Sequence, residues 1–173
     1  MKTIQLTKGY VALVDDADYE RVSQFKWHAN IVLNKDGSIQ TVYARRAKSQ
    51  THSSQYLNCF LLGITDKRVQ IDHRDRNTLN YQRHNLRVST PQQNCMNKGR
   101  RSDNKSGFKG VYWAARNWRA AIGGNSGNMK SRKNLGRFTS KIAAAQAYDA
   151  AAIEMFGEFA VTNRSLGLLP RMP

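Results

Sequence analysis

The 173-residue sequence predicts an α+β fold. A β-rich N-terminal module leads into a strand–loop–strand–helix unit, and a three-stranded antiparallel sheet with one packed helix follows. Three observations predict this class. β-Prone runs separated by turn residues fill the first third of the chain. A helix start with a proline follows two short strands near residue 90. Three strand-like runs then precede an alanine-rich helix.

The first third is predicted from alternation and turn chemistry, and none of its residues forms a catalytic pattern. The predicted elements are a hairpin over residues 3–14, a short helix capped within Asp15–Asp18, a turn at 34–38, a strand over 41–45, a loop over 48–55 and a buried helix or strand over 56–62. The helix is expected to present Tyr19, Val22 and Phe25–Trp27 to the core. His28 and His52 have no metal-ligand spacing, so both are expected to be surface or packing residues.

The central segment VQIDHRDRNTLNYQRHNLRVSTPQQNCMN, residues 69–97, concentrates polar side chains. A short strand ends at Asp72-His73, and a polar loop with few apolar residues follows. Residues 86–89 alternate between apolar and polar and predict the partner strand. This segment therefore predicts two strands joined by a long loop, with Asp72 and His73 where the first strand ends.

A helix is predicted directly after the second strand. Thr90 is a favoured N-cap, Pro91 occupies the first helical position and Gln93 the third, which together form a capping box. Asn94 would be the fourth helical residue, near the positive end of the helix dipole. The predicted unit is thus strand, loop, strand and helix, with polar groups at three of its junctions.

These residue types support metal-assisted phosphodiester hydrolysis. Asp72 and Asn94 offer hard oxygen ligands and leave room for water and phosphate oxygens, as Mg²⁺ prefers. His73 could take the proton from an attacking water, and Asn85 could orient the imidazole through its side-chain oxygen. The divalent cation would stabilise the charge that develops on the phosphate and on the leaving oxygen.

The charge distribution predicts a nucleic-acid partner. Residues 1–66 carry eight Lys and Arg against six Asp and Glu, a net +2, whereas residues 67–173 carry twenty against six, a net +14. Clustered cations bind nucleic acid because neutralised phosphates release counterions. A solubility surface and an acidic membrane are the alternatives, but no basic amphipathic helix and no long apolar run is visible.

The C-terminal third predicts a sheet whose one face is covered by a helix. Three strands are expected within residues 107–113, 117–122 and 132–138, with a glycine-rich turn over 123–129. A helix from about residue 141 to 156, capped by Thr139 or Ser140, would place Ala144, Tyr148, Ala151 and Met155 against the sheet. The segment after Asn163 is expected to be poorly ordered.

Basic and aromatic residues of the central and C-terminal parts are expected to bind DNA, some through phosphates and some in the major groove. They are Arg74, Arg76, Arg83, Arg87, Arg100, Arg101, Lys109, Trp113, Arg116, Trp118, Arg119, Arg132 and Arg137. For the two tryptophans, packing in the core is the alternative reading, more so for Trp118 than for Trp113.

The central motif resembles that of the HNH endonucleases in its His-Asn-Asn form, and specifically the phage-type HNH homing endonucleases. The resemblance is carried by Asp72-His73, Asn85-Leu86-Arg87 and Gln93-Asn94, and by the opening residues 1–27. It implies a ββα-metal (His-Me finger) core, with Asp72 and Asn94 as metal ligands, His73 as the general base and Asn85 as its positioning partner. It also implies the cytoplasm of a phage-infected bacterium as the place of action.

Two further features are a departure from the family pattern and an alternative metal site. Family members usually carry a His-Arg pair where this chain has Asn58-Cys59, so activity or site preference could differ. A structural zinc site from Cys59, His73, His84 and Cys95 is an alternative, but the spacings are irregular and no zinc is expected. Two cysteines alone do not form a disulfide framework, which favours an intracellular compartment.

The C-terminal third resembles the Apetala-type (ethylene-response-factor) DNA-binding domain. The matching pieces are Phe108-Lys109-Gly110-Val111, Trp118-Arg119-Ala120, Leu135-Gly136-Arg137-Phe138, Ala143-Ala144-Ala145, Ala147-Tyr148-Asp149, Ala151-Ala152 and Asn163. Lys109 and Asn134 depart from the plant pattern, so base specificity does not carry over.

These readings predict a monomeric, site-specific DNA endonuclease that uses Mg²⁺, or Mn²⁺, and nicks one strand. Sequential cleavage, dimerisation, a non-catalytic DNA-binding regulator and an RNA-binding protein are the alternatives. The predicted parts are an endonuclease domain over residues 1–97 (N-terminal module 1–66, ββα-metal core 67–97), a basic linker over 98–105, an Apetala-type domain over 106–163 and a tail over 164–173.

Overall fold

The computed structural model describes residues 1–50, 53–123 and 132–170. The chain divides into two compact units, Met1–Thr90 and Pro91–Pro173. Both are of mixed α+β type and contain small antiparallel sheets, as the sequence predicts. Among the described residues no helix is long and apolar enough to cross a membrane.

The first unit is built from three small antiparallel sheets and two short helices. In chain order its elements are β1 (Lys2–Gln5), β2 (Val11–Val14), α1 (Asp16–Ser23), β3 (His28–Leu33), β4 (Ile39–Arg46), β5 (Gln55–Tyr56), α2 (Leu57–Leu62), β6 (Gln70–His73) and β7 (Leu86–Ser89). The sheets pair β1 with β2, β3 with β4 and β5, and β6 with β7.

A single apolar core lies inside the first unit. Val22 and Trp27 are buried in it, with Phe25 packed against its edge, so the predicted orientation of this segment is confirmed. The Trp27 indole donates to the carbonyl oxygen of Val22 at 2.9 Å, which satisfies the one polar atom of a buried ring. Strand β3 is absent from the predicted elements, although its first four residues, HANI, alternate between polar and apolar as a half-buried strand does.

The second unit contains one helix ahead of a three-stranded sheet and one helix packed on it. Its elements are α3 (Pro91–Met96), β8 (Val111–Ala114), β9 (Asn117–Ile122), β10 (Lys133–Phe138) and α4 (Lys141–Phe156). The sheet order is β10-β9-β8, antiparallel throughout. The predicted strands and the predicted helix limits are confirmed, whereas the predicted glycine-rich turn lies mostly outside the described residues.

Helix α4 begins at Ser140, whose hydroxyl accepts from the Ile142 amide at 3.2 Å. Ala144, Tyr148 and Ala151 are buried against the sheet, as predicted. Met155 is instead 44% exposed. The buried stripe continues from Ala152 to Phe156, four residues on, so Met155 falls beside it.

The prediction of a poorly ordered tail is wrong for residues 164–170. The Leu166 and Leu168 amides donate to the carbonyl oxygens of Thr162 and Asn163, and Leu169 is buried in the core of the unit. Buried Asn163 closes this region, since its amide and side chain both donate to Asp149 Oδ1, at 2.6 and 2.9 Å. Apolar burial and these bonds order the segment. Sequence composition alone gave no sign of a partner for its leucines.

Candidate active site

The β6–β7 hairpin carries most of the predicted catalytic and metal-binding residues. In its register Asp72 lies opposite Arg87, and His73 lies opposite Leu86. Asp72, His73 and Asn85 are all buried. The structure therefore brings three of the four predicted catalytic and metal-binding residues into one small region of the first unit.

Asp72 and Arg87 form a buried ion pair. Arg87 donates from Nε and from a terminal nitrogen to Asp72 Oδ2, at 2.9 and 2.7 Å, and the two side chains are 7% and 5% exposed. A carboxylate in such surroundings is stable only with a counter-charge, and Arg87 supplies one. Sequence analysis assigned Arg87 to DNA phosphates; in this structure its guanidinium is directed to Asp72 in the interior.

His73 lies in an aromatic surrounding. Its ring centroid is 5.3 Å from that of Tyr81, edge to face, and 6.4 Å from that of Tyr43. Burial lowers the pKa of His73 to about 4, against the opposing effect of the Asp75 and Asp72 carboxylates. The imidazole is therefore neutral at pH 7, which is the protonation state that a general base requires.

Asn85 fixes the backbone that follows His73. Its Oδ1 accepts from the Asp75 amide at 2.9 Å, and its Nδ2 donates to Asp75 Oδ1 at 2.9 Å and to the Asn80 carbonyl at 2.8 Å. The Asn85 carbonyl also accepts from the Arg74 amide at 2.9 Å. The Asn85 amide donates to the Gln82 carbonyl at 2.9 Å. These bonds go to loop residues that follow His73, and none of them is to the imidazole.

The long loop between β6 and β7 is tied to the N-terminal module. The Leu13 amide donates to Leu79, and the Tyr81 amide donates to Leu13, both at 2.8 Å. The Tyr81 hydroxyl accepts from the Ala44 amide at 2.7 Å, and the Thr78 hydroxyl donates to the Val42 carbonyl at 2.7 Å. A loop that is polar and has few apolar residues in its sequence is therefore held to both β2 and β4.

Arg83 belongs to the same set of ties. Its Nε and a terminal nitrogen donate to the two oxygens of buried Asp18, at 2.7 and 2.8 Å, and its amide donates to Asp15 at 2.8 Å. Arg83 lowers the pKa of the Asp18 carboxyl. Arg83 is thus engaged with the N-terminal module, although its side chain, like those of Arg74 and Arg76, is exposed. Arg76 adopts a left-handed backbone conformation, φ 65°, at a tight turn.

Asn94 lies on α3, in the second unit, whereas Asp72 lies on β6, in the first. That the two residues share a metal ion stays a prediction. No group of three or more His, Cys, Asp or Glu among the described residues could hold a metal, which includes the four residues considered for zinc. A site of one carboxylate and one amide oxygen, completed by water and phosphate, is smaller than such a group. Its donor chemistry fits Mg²⁺.

The basic residues of the second unit fall on different surfaces. Across the sheet Tyr112 pairs with Arg119, and Arg119 pairs with Arg137, so these three share the face opposite the buried Val111 and Ala120. The Arg132 guanidinium lies 4.3 Å from the Tyr112 ring centroid. This open face therefore presents three arginines next to a tyrosine.

The two tryptophans lie on the other face of the sheet. Trp118 packs against the helix-side core, and Trp113, 57% exposed, meets it edge to face with 5.0 Å between ring centroids. Lys109 donates to the carbonyl oxygens of Met96 and Lys98, at 3.0 and 2.7 Å. Lys109 thus binds carbonyl groups at and just after the C-terminal end of α3, a role that its sequence position did not indicate.

The remaining predicted DNA contacts lie in exposed turns and in the linker. Arg116 is exposed, with φ 61°, in the turn between β8 and β9. In the linker, Arg101 pairs with Asp103 at 2.8 Å and Arg100 donates to the Asn104 carbonyl at 3.0 Å. Both pairs are solvent-exposed, so water screens them and competition by phosphate would cost little.

The chain is similar to two known viral proteins. It is 35% identical over 157 residues to an uncharacterized HNH endonuclease, L560, of Acanthamoeba polyphaga mimivirus, which covers 91% of this chain and 76% of that protein. It is 36% identical over 77 residues to protein 3.8 of Escherichia phage T7, which covers 42% of this chain and 64% of that protein. No family model and no solved structure matches the chain.

Proposed function

Because this chain belongs to the HNH endonuclease family, we propose that it hydrolyses phosphodiester bonds of double-stranded DNA with the help of a divalent cation. The observation that carries the proposal is the pairing of a buried, neutral His73 with an adjacent buried carboxylate, Asp72, at the end of one strand. Both groups are titratable and lie in an interior that disfavours charge, which makes them candidates for a functional site.

In the proposed mechanism His73 accepts the proton of the attacking water. Its neutral state follows from burial, and its orientation follows from the Asn85–Asp75 bonds that fix the next residues of the loop. Asp72 and Asn94 would hold the cation through oxygen atoms. The cation would supply stabilisation of the negative charge that develops on the phosphate and on the leaving oxygen.

Arg87 holds the Asp72 side chain in place by a buried ion pair. Its Nε and a terminal nitrogen both donate to Oδ2, and these bonds keep the carboxylate in place before any metal arrives. We therefore assign Arg87 a positioning role toward Asp72 in place of the phosphate contact expected from sequence. Arg74 and Arg76 keep the proposed phosphate contacts beside His73.

We also propose a fold type for the nuclease core and a part of the chain that recognises the DNA sequence. Residues 67–97 would form a ββα-metal core, in which β6, β7 and α3 follow each other in the expected order. Residues 106–163 would act as an Apetala-type DNA-binding domain, with Arg119, Arg132 and Arg137 of the open face reading DNA. Site-specific nicking by a monomer, of the homing type, completes the proposal.

A non-catalytic DNA-binding regulator is the second candidate. The observation that favours it is the Asp72–Arg87 ion pair, because a cation must share or displace a guanidinium already bound to the carboxylate. A regulator would bind DNA through the same basic surfaces and would need no metal.

Incubation of supercoiled plasmid with the full-length protein separates the two candidates. The enzyme should convert supercoiled DNA to the nicked form with Mg²⁺ or Mn²⁺ and not with EDTA, and His73→Ala should abolish the conversion. His84→Ala, which changes an exposed histidine of the same loop, is the matched control. Retardation of the DNA without nicking under either metal would support the regulator.

A further inference from the structure

One face of the β3–β4–β5 sheet carries a set of aromatic and basic side chains that the proposed mechanism does not use. We name it the tyrosine face, and its residues are His28, Asn30, Tyr43, Arg45 and Tyr56. They share a face because His28 pairs with Arg45, Asn30 with Tyr43 and Arg45 with Tyr56. The alternating residues on the opposite face, Ala29, Val42 and Ala44, are buried in the core.

The tyrosine face ends at the catalytic histidine. Tyr43 lies 6.4 Å from the His73 ring, and Tyr56 lies 6.0 Å from the Tyr43 ring, measured between centroids. The His73, Tyr43 and Tyr56 rings therefore form a row that leads from the buried imidazole to the surface. Tyr56, at the outer end of the row, is 39% exposed.

The row is also charged and partly fixed. The Arg45 guanidinium carbon lies 5.6 Å from the Tyr56 ring centroid, and Arg45 donates to the Ser54 hydroxyl at 3.0 Å. Asn30 Nδ2 lies 3.5 Å from the Tyr56 hydroxyl oxygen. An exposed arginine beside an exposed aromatic ring offers one group for a phosphate and one for a base or sugar.

We propose that the tyrosine face binds the nucleotide next to the scissile phosphate in the strand that is cut, with Tyr43 and Tyr56 against its sugar or base and Arg45 on its phosphate. This inference rests on the proposed nuclease function. The order of the rings supports it, since Tyr43 contacts both His73 and Tyr56, at 6.4 and 6.0 Å between centroids, so a nucleotide held by the two tyrosines lies next to a phosphate at His73. Core packing does not explain Tyr56 and Arg45, which are both exposed.

The proposal predicts a loss of DNA affinity when the aromatic ring at position 56 is removed. Tyr56→Leu should raise the plasmid concentration for half-maximal nicking about tenfold, within the range expected for loss of one base–aromatic stack. The maximal nicking rate should change far less, because Tyr56 is separated from His73 by the Tyr43 ring. Tyr56→Phe, which keeps the ring, should recover most of the affinity.

Tyr19→Leu is the matched control, because it removes a partly exposed tyrosine of α1, outside the tyrosine face. Arg45→Gln is a second test that leaves the aromatic packing in place, and it should also raise the half-maximal concentration. Circular dichroism melting of each variant checks the fold. Equal half-maximal concentrations for wild type, Tyr56→Leu and Arg45→Gln would overturn the inference while leaving the nuclease function intact. A wild-type protein that never nicks would overturn both.

Discussion

At the residue scale the site depends on the different surroundings of Asp72 and His73, which are both buried. Asp72 forms an ion pair with Arg87, and His73 is neutral because burial lowers its pKa by more than the Asp75 and Asp72 carboxylates raise it. Neighbouring groups on one strand thus receive different environments from the same hairpin. Metal binding needs the carboxylate oxygens of Asp72, and proton abstraction needs the neutral imidazole of His73.

Replacement of Arg87 by Met should destabilise the first unit by about 3–5 kcal/mol, because it leaves the Asp72 carboxylate buried without its counter-charge. Combining it with Asp72→Asn should recover a large part of that loss. Urea denaturation of wild type, both single variants and the double variant, all in EDTA, gives the coupling free energy. Additive single-variant effects would contradict a buried ion pair between these residues.

His73 should make the stability of the metal-free protein depend on pH. Its pKa is about 4 in the folded protein and about 6.5 in the unfolded chain, so between these values the unfolded chain binds the proton. The contribution of neutral His73 to the free energy of unfolding is therefore fully present above pH 6.5. It is lost as the pH drops toward 4, by up to about 3 kcal/mol. Denaturant titrations in EDTA across this range should show a shallower slope for His73→Gln. An identical slope would mean that His73 titrates normally.

At the element scale the second unit depends on a close approach between a turn and α4. Gly110 has φ 75°, and a Cβ atom there would overlap the Tyr148 ring. Gly107, nearby on the same segment, has φ 86° with open space around the Cβ position. The pair separates the cost of a backbone conformation from the cost of a steric clash.

Gly110→Ala should therefore destabilise the second unit by about 3 kcal/mol or more, because a left-handed alanine and an overpacked ring contribute together. Gly107→Ala should cost only about 1–2 kcal/mol, the backbone term alone. Thermal unfolding followed by the fluorescence of Trp113 and Trp118 reports on this unit. Equal effects of the two substitutions would show that Tyr148 does not pack on Gly110.

The elements that sequence predicts well are those whose signals are local. The cap at Ser140, Pro91 at a helix start and the alternation in residues 86–89 each lie within one segment, and each element formed where expected. The Asp72–Arg87 bond and the Tyr43–His73 approach depend on strand register and on residues 15 and 30 positions apart. Burial of Arg87 could be anticipated only once β6 and β7 were paired.

At the scale of the whole molecule, most of the excess positive charge lies in residues 67–173. The net +14 of residues 67–173 covers the β6–β7 hairpin, the linker and the open face of the C-terminal sheet. Such a distribution favours DNA bound along much of the chain, with affinity dominated by phosphate contacts. Because counterions are released on binding, the affinity should fall steeply as salt is added.

Arg119→Gln combined with Arg137→Gln should lower the slope of log affinity against log salt by about 2 if both side chains contact phosphates. Arg68→Gln is the matched control, since Arg68 is exposed and pairs with Asp66 at 2.9 Å in the first unit. Fluorescence anisotropy of a labelled DNA duplex at several salt concentrations gives the slopes. An unchanged slope in the double variant would place the phosphate contacts elsewhere.

We propose that His73 and Asp72 form a metal-dependent nuclease centre. The most direct measurement is the single-turnover nicking rate of plasmid preincubated with excess protein in EDTA and then started with excess Mg²⁺. Wild type and His84→Ala should nick at similar rates once Mg²⁺ is added, whereas His73→Ala should lose about a hundredfold or more, as expected when a general base is removed. Equal rates for His73→Ala and wild type would contradict the role of His73 as general base. Nicking by wild type before Mg²⁺ is added would contradict the need for a metal.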